Sequence, residues 1–498
     1  MLVDSRQVAA GSRIAVDVCI VGSGPAGITL ARELRGQGLE IAVLESGGLD
    51  LDPAIDALST GELDAPIRNP DYLTASRARV FGGASQHWTG TCRPLDDIDF
   101  EARSWVPLSG WPLRRDELDD HYDRAAAILD CPRFRHHRGD GEVAPVNPIH
   151  REPEPRLVPK AMYVSKPPPR LGDRHRRELA DARDVRVFLY ANATRLVTDE
   201  DGRQVLEVPV AVLDGPRFSL QPRICVLAAG GFENARLLLL SEAFRPGGPG
   251  NRHDVVGRYF TEHPKYYRAA LMVWSGRLPA SGPLAASRGW LSDERYVVYT
   301  PSGRAQRQDR LLNCGVRARP VNPPADRLLR EVDRVASVID GPAANRTILT
   351  GLILYTEQVP VRTNRVTLAA DRDRLGLHKV RLEWRNTAEQ TDHLVRFLRF
   401  FAREVAIAGR GRVQIFLDRD LPVGRPHPSS TTRMCTDPRY GVTDGDARVH
   451  GTENLFVAGS SLFPTGGFAN PTLTLVALAL RLADHLKALR QARSGPWR

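Results

Sequence analysis

The feature that most narrows the fold is the run Val16-Asp-Val-Cys-Ile-Val21, followed at once by Gly22-Ser-Gly-Pro-Ala-Gly27. A short apolar run ending in glycines reads as a buried strand, and Ala26 to Leu34 continues with helical spacing. Glu40-Ile-Ala-Val-Leu-Glu45 reads as a second buried strand, which completes a βαβ unit of roughly 30 residues. Gly22 permits the tight turn, Gly24 lets the backbone approach a pyrophosphate, and Gly27 allows close helix–strand packing. The helix start offers unpaired N–H groups and a positive dipole end to phosphates. Glu45 ends the second strand, where a carboxylate accepts from ribose hydroxyls and repels a 2′-phosphate. The pattern leaves FAD and NAD open and disfavours NADP.

Length and charge bound the rest. A chain of 498 residues with 42% hydrophobic content buries a sizeable core and suggests two or more domains. The net charge of +10 is carried mainly by arginines dispersed beside acids, as in Asp371-Arg-Asp-Arg374, with no basic block interleaved with aromatics. That argues for a solvated surface and against nucleic acid. The six cysteines show no CxxC pair, so neither a zinc site nor a disulfide framework is expected. No metal site is expected elsewhere. The N-terminus lacks a secretory pattern and no run is long enough to span a bilayer, so the expected location is cytoplasmic, away from membranes.

The pattern divides the chain into a discontinuous nucleotide-binding domain (1–130, 170–264 and 425–498), a Pro/Arg-rich excursion or linker (131–169), and an inserted domain (265–424). In the first, Val185–Val197 and Val205–Val212 alternate like paired strands about Asp201-Gly202. Ile224–Gly231 reads as another buried strand ending in glycines. In the inserted domain, Leu352–Val361, Arg365–Leu368 and Lys379–Trp384 read as strands. Gln390–Ala408 reads as an amphipathic helix with Leu394, Phe397, Phe401 and Val405 on one stripe.

Two further stretches carry chemistry. Arg79-Val-Phe-Gly-Gly-Ala-Ser-Gln-His-Trp-Thr-Gly90 places Gly82 and Gly83 ahead of Ser85, His87, Trp88 and Thr89. Glycines let a loop press its backbone on a planar ring or phosphate, and a turn with a packed Trp88 accounts for the same letters. His427 lies in a loop of small hydroxyl residues, Ser429 to Thr432, before Arg433. A neutral imidazole suits removal of a hydroxyl proton, while a hydrogen-bonded loop histidine is the plainer account. Asn470-Pro471 is an N-cap signature for the helix Thr472–Leu489, which is apolar on nearly every face through Leu480 and so is buried. A buried helix start also favours an anionic ring edge. His263, before Pro264, reads as structural, and Glu357 as either a cavity acid or a half-buried strand acid.

These segments resemble the glucose–methanol–choline (GMC) oxidoreductases, most of all the pyranose 2-oxidase and bacterial glycoside 3-oxidase branch. That branch also carries Gly-Gly-x-Ser-x-His-Trp-Thr in its flavin-facing loop, and Ala84 and Gln86 depart from its fungal form. Leu227–Leu238, Val256–Pro264, Val457–Pro464 and Asn470-Pro-Thr-Leu-Thr474 resemble the family too, whereas 133–169 and 277–349 match least. The resemblance implies an α/β fold, with a Rossmann-like FAD-binding domain and an inserted α+β substrate-binding domain. It implies FAD held by Gly22, Gly24, Pro25, Ala26, Gly27, Glu45, Ser46, Arg79, Gly82, Gly83, Ser85, Trp88, Gly459, Ser460, Pro471 and Thr472. His87 would be the point of covalent attachment and Thr89 the neighbour of flavin N5.

The activity implied is oxidation of a secondary hydroxyl (C2 or C3) of a sugar or glycoside to a ketone, with hydride passing to flavin N5. His427 would be the base and Asn470 its catalytic partner, with dioxygen or a quinone as electron acceptor. The alternatives are oxidation of a primary alcohol on an aminosugar or other natural-product intermediate, and a non-redox FAD-containing lyase.

Overall fold

The computed structural model describes residues 1–67, 69–133, 154–242, 247–274, 295–320, 348–409, 411–416 and 427–492. The strand Arg13–Val21 runs at the centre of a nine-stranded sheet, its last four residues fully buried. Ile41–Leu44 lies parallel on one side and Arg217–Leu227 parallel on the other. Val185–Leu189 and Leu2–Asp4 extend the parallel set beyond Ile41–Leu44. The long strand Arg217–Leu227 changes partners along its length: Phe218 to Leu220 pair antiparallel with Val205–Ala211, and Cys225 to Leu227 pair parallel with Leu455–Val457. Cys19 and Cys225 face each other in register as free, fully buried thiols, small enough to fit between sheet and helices.

The helix Pro25–Leu34 follows the central strand and packs against Thr472–Ala492, whose residues Val476 to Leu480 are all buried. The apolar all-round pattern of that last helix is thus accounted for by burial in the same core as the sheet.

A seven-stranded sheet follows the order Gly411–Ile415, Lys265–Trp274, Ile348–Thr356, Cys314–Pro320, Arg295–Pro301, Leu157–Val164 and Thr91–Cys92. The helix Ala388–Ile407 covers it, started by Thr387, whose Oγ1 accepts from the Gln390 N–H at 3.1 Å. Its stripe of Leu394, Phe397, Phe401 and Val405 forms a second core with Tyr266, Leu312 and Leu354. Three strands, Arg365–Arg372, His378–Glu383 and Gly61–Asp64, make a third sheet. The chain is an α/β protein with a Rossmann-like sheet and a second, α+β part.

The structure corrects three sequence expectations. Leu157–Val164, expected within the linker, is a strand of the second sheet, while residues 134–153 lie outside the described residues. The part expected as 265–424 also recruits Thr91–Cys92 and Gly61–Asp64, strands too short to show any alternation. Finally, Val185–Leu189 does not pair with Val205–Ala211. It joins Ile41–Leu44, and Asn192–Ala193 and Val197–Thr198 supply the antiparallel contacts instead. Alternation identifies a strand, but pairing depends on chain far away, which local pattern does not carry.

Candidate active site

Four parallel strands end at one edge of the first sheet, and the residues just beyond them, Gly22, Glu45, Ala228 and Gly459, line a single cavity of about 420 Å³. Ligands of open α/β sheets bind at such carboxyl ends. Gly22 turns with φ of 106°, and a Cβ there would stand 2.7 Å from the Ala228 carbonyl oxygen. A Cβ on Gly27 would come within 1.9 Å of the Gly22 carbonyl oxygen, so this glycine sets how closely helix and strand approach. At Gly24 a Cβ would meet nothing within 4 Å. Gly24 is the N-cap of Pro25–Leu34 with no side-chain capping hydrogen bond, and Pro25 opens the helix. The first turn is therefore presented bare to the cavity, a cradle suited to a pyrophosphate.

Glu45 is buried. Its Oε2 accepts from the Ser23 N–H at 3.1 Å and from the Ser23 hydroxyl at 2.5 Å, and its Oε1 accepts from the Gly47 N–H at 2.8 Å. Acceptor capacity is left on Oε1 for a ribose. Burial raises the Glu45 pKa against these hydrogen bonds and against Arg79. Arg79 reaches Ser46 Oγ at 2.9 Å and Glu233 at 3.1 Å. Burial opposes ionisation of Glu233, yet Arg79, Arg236 and Arg77 around it hold its pKa well below the usual carboxylate range. Arg77 bonds Glu233 directly, and burial, only partly offset by Glu233, brings its pKa down to about 10.

The loop 79–90 is braced from behind. Arg170 Nη1 donates to the carbonyls of Ser85 (3.1 Å) and Trp88 (3.0 Å), and Trp88 Nε1 donates to the Pro169 carbonyl at 2.9 Å. His87 faces the cavity, its pKa lowered first by burial and then by Arg170, which favours the neutral ring. Gly83 presses on Gly24, with a Cβ position 2.9 Å from the Gly24 Cα.

His427, Asn470 and Lys265 line the same cavity. The His427 N–H donates to Glu262 Oε2 at 2.8 Å, and the His263 N–H donates to the same oxygen at 3.2 Å. Glu262 also bonds the Tyr72 hydroxyl, and burial outweighs the two N–H donors to push its pKa up to about 8. The His263 ring lies 5.4 Å from that of His427, centroid to centroid. Its Nε2 donates to the Phe468 carbonyl at 2.6 Å, and burial followed by the charge of Lys265 brings its pKa down to about 3. Asn470 is buried, with Lys265 Nζ 3.4 Å from its Oδ1. Burial and fixed donors are what a proton-transfer site needs.

Of the residues expected at the site, the cavity wall gathers Gly22, Gly24, Pro25, Ala26, Glu45 and Ser46 at the turn. It gathers Arg79, Gly83, Ser85, His87, Trp88 and Thr89 from the loop, and His427, Gly459, Ser460, Asn470, Pro471 and Thr472 from the last segments. Gly27 and Gly82 stand behind the lining: Gly27 packs on Gly22, as its expected part in helix–strand packing requires, and a Cβ on Gly82 would lie 2.7 Å from the Gly172 nitrogen. Glu357 belongs to a different assembly. It is buried in a two-pronged pair with Arg103 (2.6 and 2.8 Å) and accepts from the Asn313 N–H.

The sequence reading missed Lys265, the Arg77–Glu233–Arg236 cluster and the wall at 191–193. Lys265 was within reach of it, two residues past His263 in a chain where only five of 69 basic residues are lysine. Among the described residues no helix is long and apolar enough to cross a membrane.

The bare helix start at Gly24-Pro25 and the buried acid Glu45 at the strand end fit an FAD. Comparison with known proteins agrees. A family model described as FAD dependent oxidoreductase matches residues 17–340, and one described as GMC oxidoreductase matches 360–479. A C-glycoside 3-oxidase of Microbacterium trichothecenolyticum is 27% identical over 95% of this chain and 96% of its own. A 6'''-hydroxyparomomycin C oxidase of Streptomyces lividus is 25% identical over 96% and 93%. The crystal structure of pyridoxine 4-oxidase from Mesorbium loti superposes with a TM-score of 0.54 at 17% identity, covering 94% of this chain and 98% of that one.

Proposed function

Because this chain belongs to the FAD-dependent oxidoreductases of the GMC family, we propose that it oxidises a secondary hydroxyl, at C2 or C3, of a sugar or glycoside to a ketone. The observation that carries this reading is the presence of His427 and Asn470 on the wall of the same cavity as the Gly22–Gly24 cradle. Bound FAD supplies the two-electron acceptor for the carbinol hydride, and the protein supplies everything else. Gly22, Gly24 and Glu45 hold the nucleotide, and Gly459, Ser460 and the helix start at Pro471-Thr472 line the reactive end.

His427 takes the hydroxyl proton on its imidazole, a group whose ordinary pKa suits the task near neutral pH. Its main chain is pinned by Glu262, which limits how far the ring drifts from the reacting oxygen. Asn470 hydrogen-bonds that oxygen as negative charge builds on it. Trp88 and Thr89 line the loop side of the cavity, and His87 would be the residue through which FAD is held covalently. The second and third sheets form the sugar-binding side, centred on residues 265–424.

The test is anaerobic: native protein mixed with a panel of pyranoses, glycosides and aminosugars, followed by bleaching of the flavin near 450 nm. Pyranosides are expected to bleach it and yield ketones. Bleaching by none of them would reject the reading. Oxygen uptake, compared with quinone reduction, then assigns the acceptor. A second reading, a primary alcohol on an aminosugar, is favoured by the likeness to the Streptomyces lividus oxidase and predicts an aldehyde product.

A further inference from the structure

Lys265 opens the strand Lys265–Trp274 and is buried at the cavity wall beside Asn470. Its Nζ lies 3.4 Å from Asn470 Oδ1 and 4.9 Å from the ring centroid of Tyr355, its register partner on the next strand. A carboxamide is two-faced, with an accepting oxygen at one end and a donating NH₂ at the other, and its neighbours decide which way it points. Lysine nitrogen offers donors to such a partner, so this contact selects the oxygen. The NH₂ end of Asn470 is then the donor end of the amide.

We propose that Lys265 is a positioning residue that holds the Asn470 carboxamide with its Nδ2–H₂ presented to the oxygen of the alcohol being oxidised. The inference rests on the reading of His427 and Asn470 given above. A donor aimed at that oxygen stabilises the charge that develops as His427 removes the proton, whereas a flipped amide would set its own lone pairs against that charge. His263 is held neutral with its pKa near 3 by burial and then by Lys265. Glu262 is shifted by burial to about 8, and burial raises the Tyr296 hydroxyl behind Tyr355.

The experiment is a double-mutant cycle on the FAD-loaded full chain, with Lys265→Met, Asn470→Ala and the pair together. The rate of anaerobic flavin reduction at saturating sugar is the main readout. Binding of a deoxy sugar that lacks the reactive hydroxyl, followed through the flavin spectrum, is the second. Lys265→Met is expected to slow reduction about 10²-fold, with deoxy-sugar binding unchanged and Lys265→Arg restoring most of the rate. The double variant is expected to be no slower than Asn470→Ala alone, because Lys265 acts through that amide. Losses that multiply, or a Lys265→Met rate equal to native, overturn the inference. If Lys265→Met does not retain flavin, Lys265→Leu takes its place in the same cycle. A native protein that no alcohol reduces would instead remove the proposed function on which the inference stands.

Discussion

At the nucleotide end of the cavity, the turn at Gly22–Gly27 and the acid Glu45 come from one βαβ unit, and backbone geometry does most of the holding. At the reactive end, Lys265, His427 and Asn470 come from three distant segments. They are held by buried polar contacts through Glu262, His263 and the Phe468 carbonyl. The first end tolerates no side chain at Gly22 or Gly27, whose Cβ positions collide with main chain. The second depends on protonation and on which donor meets which acceptor. A cofactor used in every turnover calls for a rigid seat, whereas the proposed alcohol site needs groups whose charge and orientation are tuned by their surroundings.

That contrast can be broken at either end. The largest effect is expected from Gly27→Ala, whose new methyl would lie 1.9 Å from the Gly22 carbonyl oxygen. The protein should emerge without flavin absorbance, and normal flavin content would show that the turn can yield. His427→Ala should lose roughly 10²- to 10⁴-fold in kcat while keeping native flavin content. A parallel loss of flavin would show that the two ends are not separable. His87→Ala should hold flavin that acid precipitation releases, whereas native protein should keep its yellow colour in the pellet. Release from both would exclude attachment at His87.

The smallest effect concerns Glu262. Its folded pKa of about 8 lies above the ordinary carboxyl value of 4.5, so the fold holds a proton that the unfolded chain gives up. That stabilisation is complete below pH 4.5 and is lost as pH rises through about 8. Glu262→Gln keeps an acceptor for the two N–H groups and cannot ionise. Its Tm should match native near pH 4 and exceed it by a few degrees above pH 8. A constant difference across this range would place the carboxyl in water.

The same contrast explains what could be read from sequence. The Gly22–Glu45 unit was legible because its signal is local: one strand, one helix and one strand within a short stretch. The last helix was legible because its faces were apolar almost all round. His427 and Asn470 were singled out by motif, but nothing local says that they share a wall, since their partners Glu262, His263 and Lys265 lie more than 150 residues away. The Arg77–Glu233–Arg236 cluster was invisible for the same reason, as three charges dispersed in sequence look like solvated surface. Glu357 was read as either a cavity acid or a half-buried strand acid, and it is a fully buried partner of Arg103, which lies on another element. Leu157–Val164 was hidden by the Pro-rich composition around it.

The most direct test of the shared cavity is the structure of the FAD-loaded protein, read as the position of the isoalloxazine relative to His427 and Asn470. The account predicts the pyrophosphate on the Gly22–Gly24 turn, with His427 and Asn470 together on one face of the ring and room between for a carbinol. A ring lodged away from both side chains, with the nucleotide still on the turn, would contradict it.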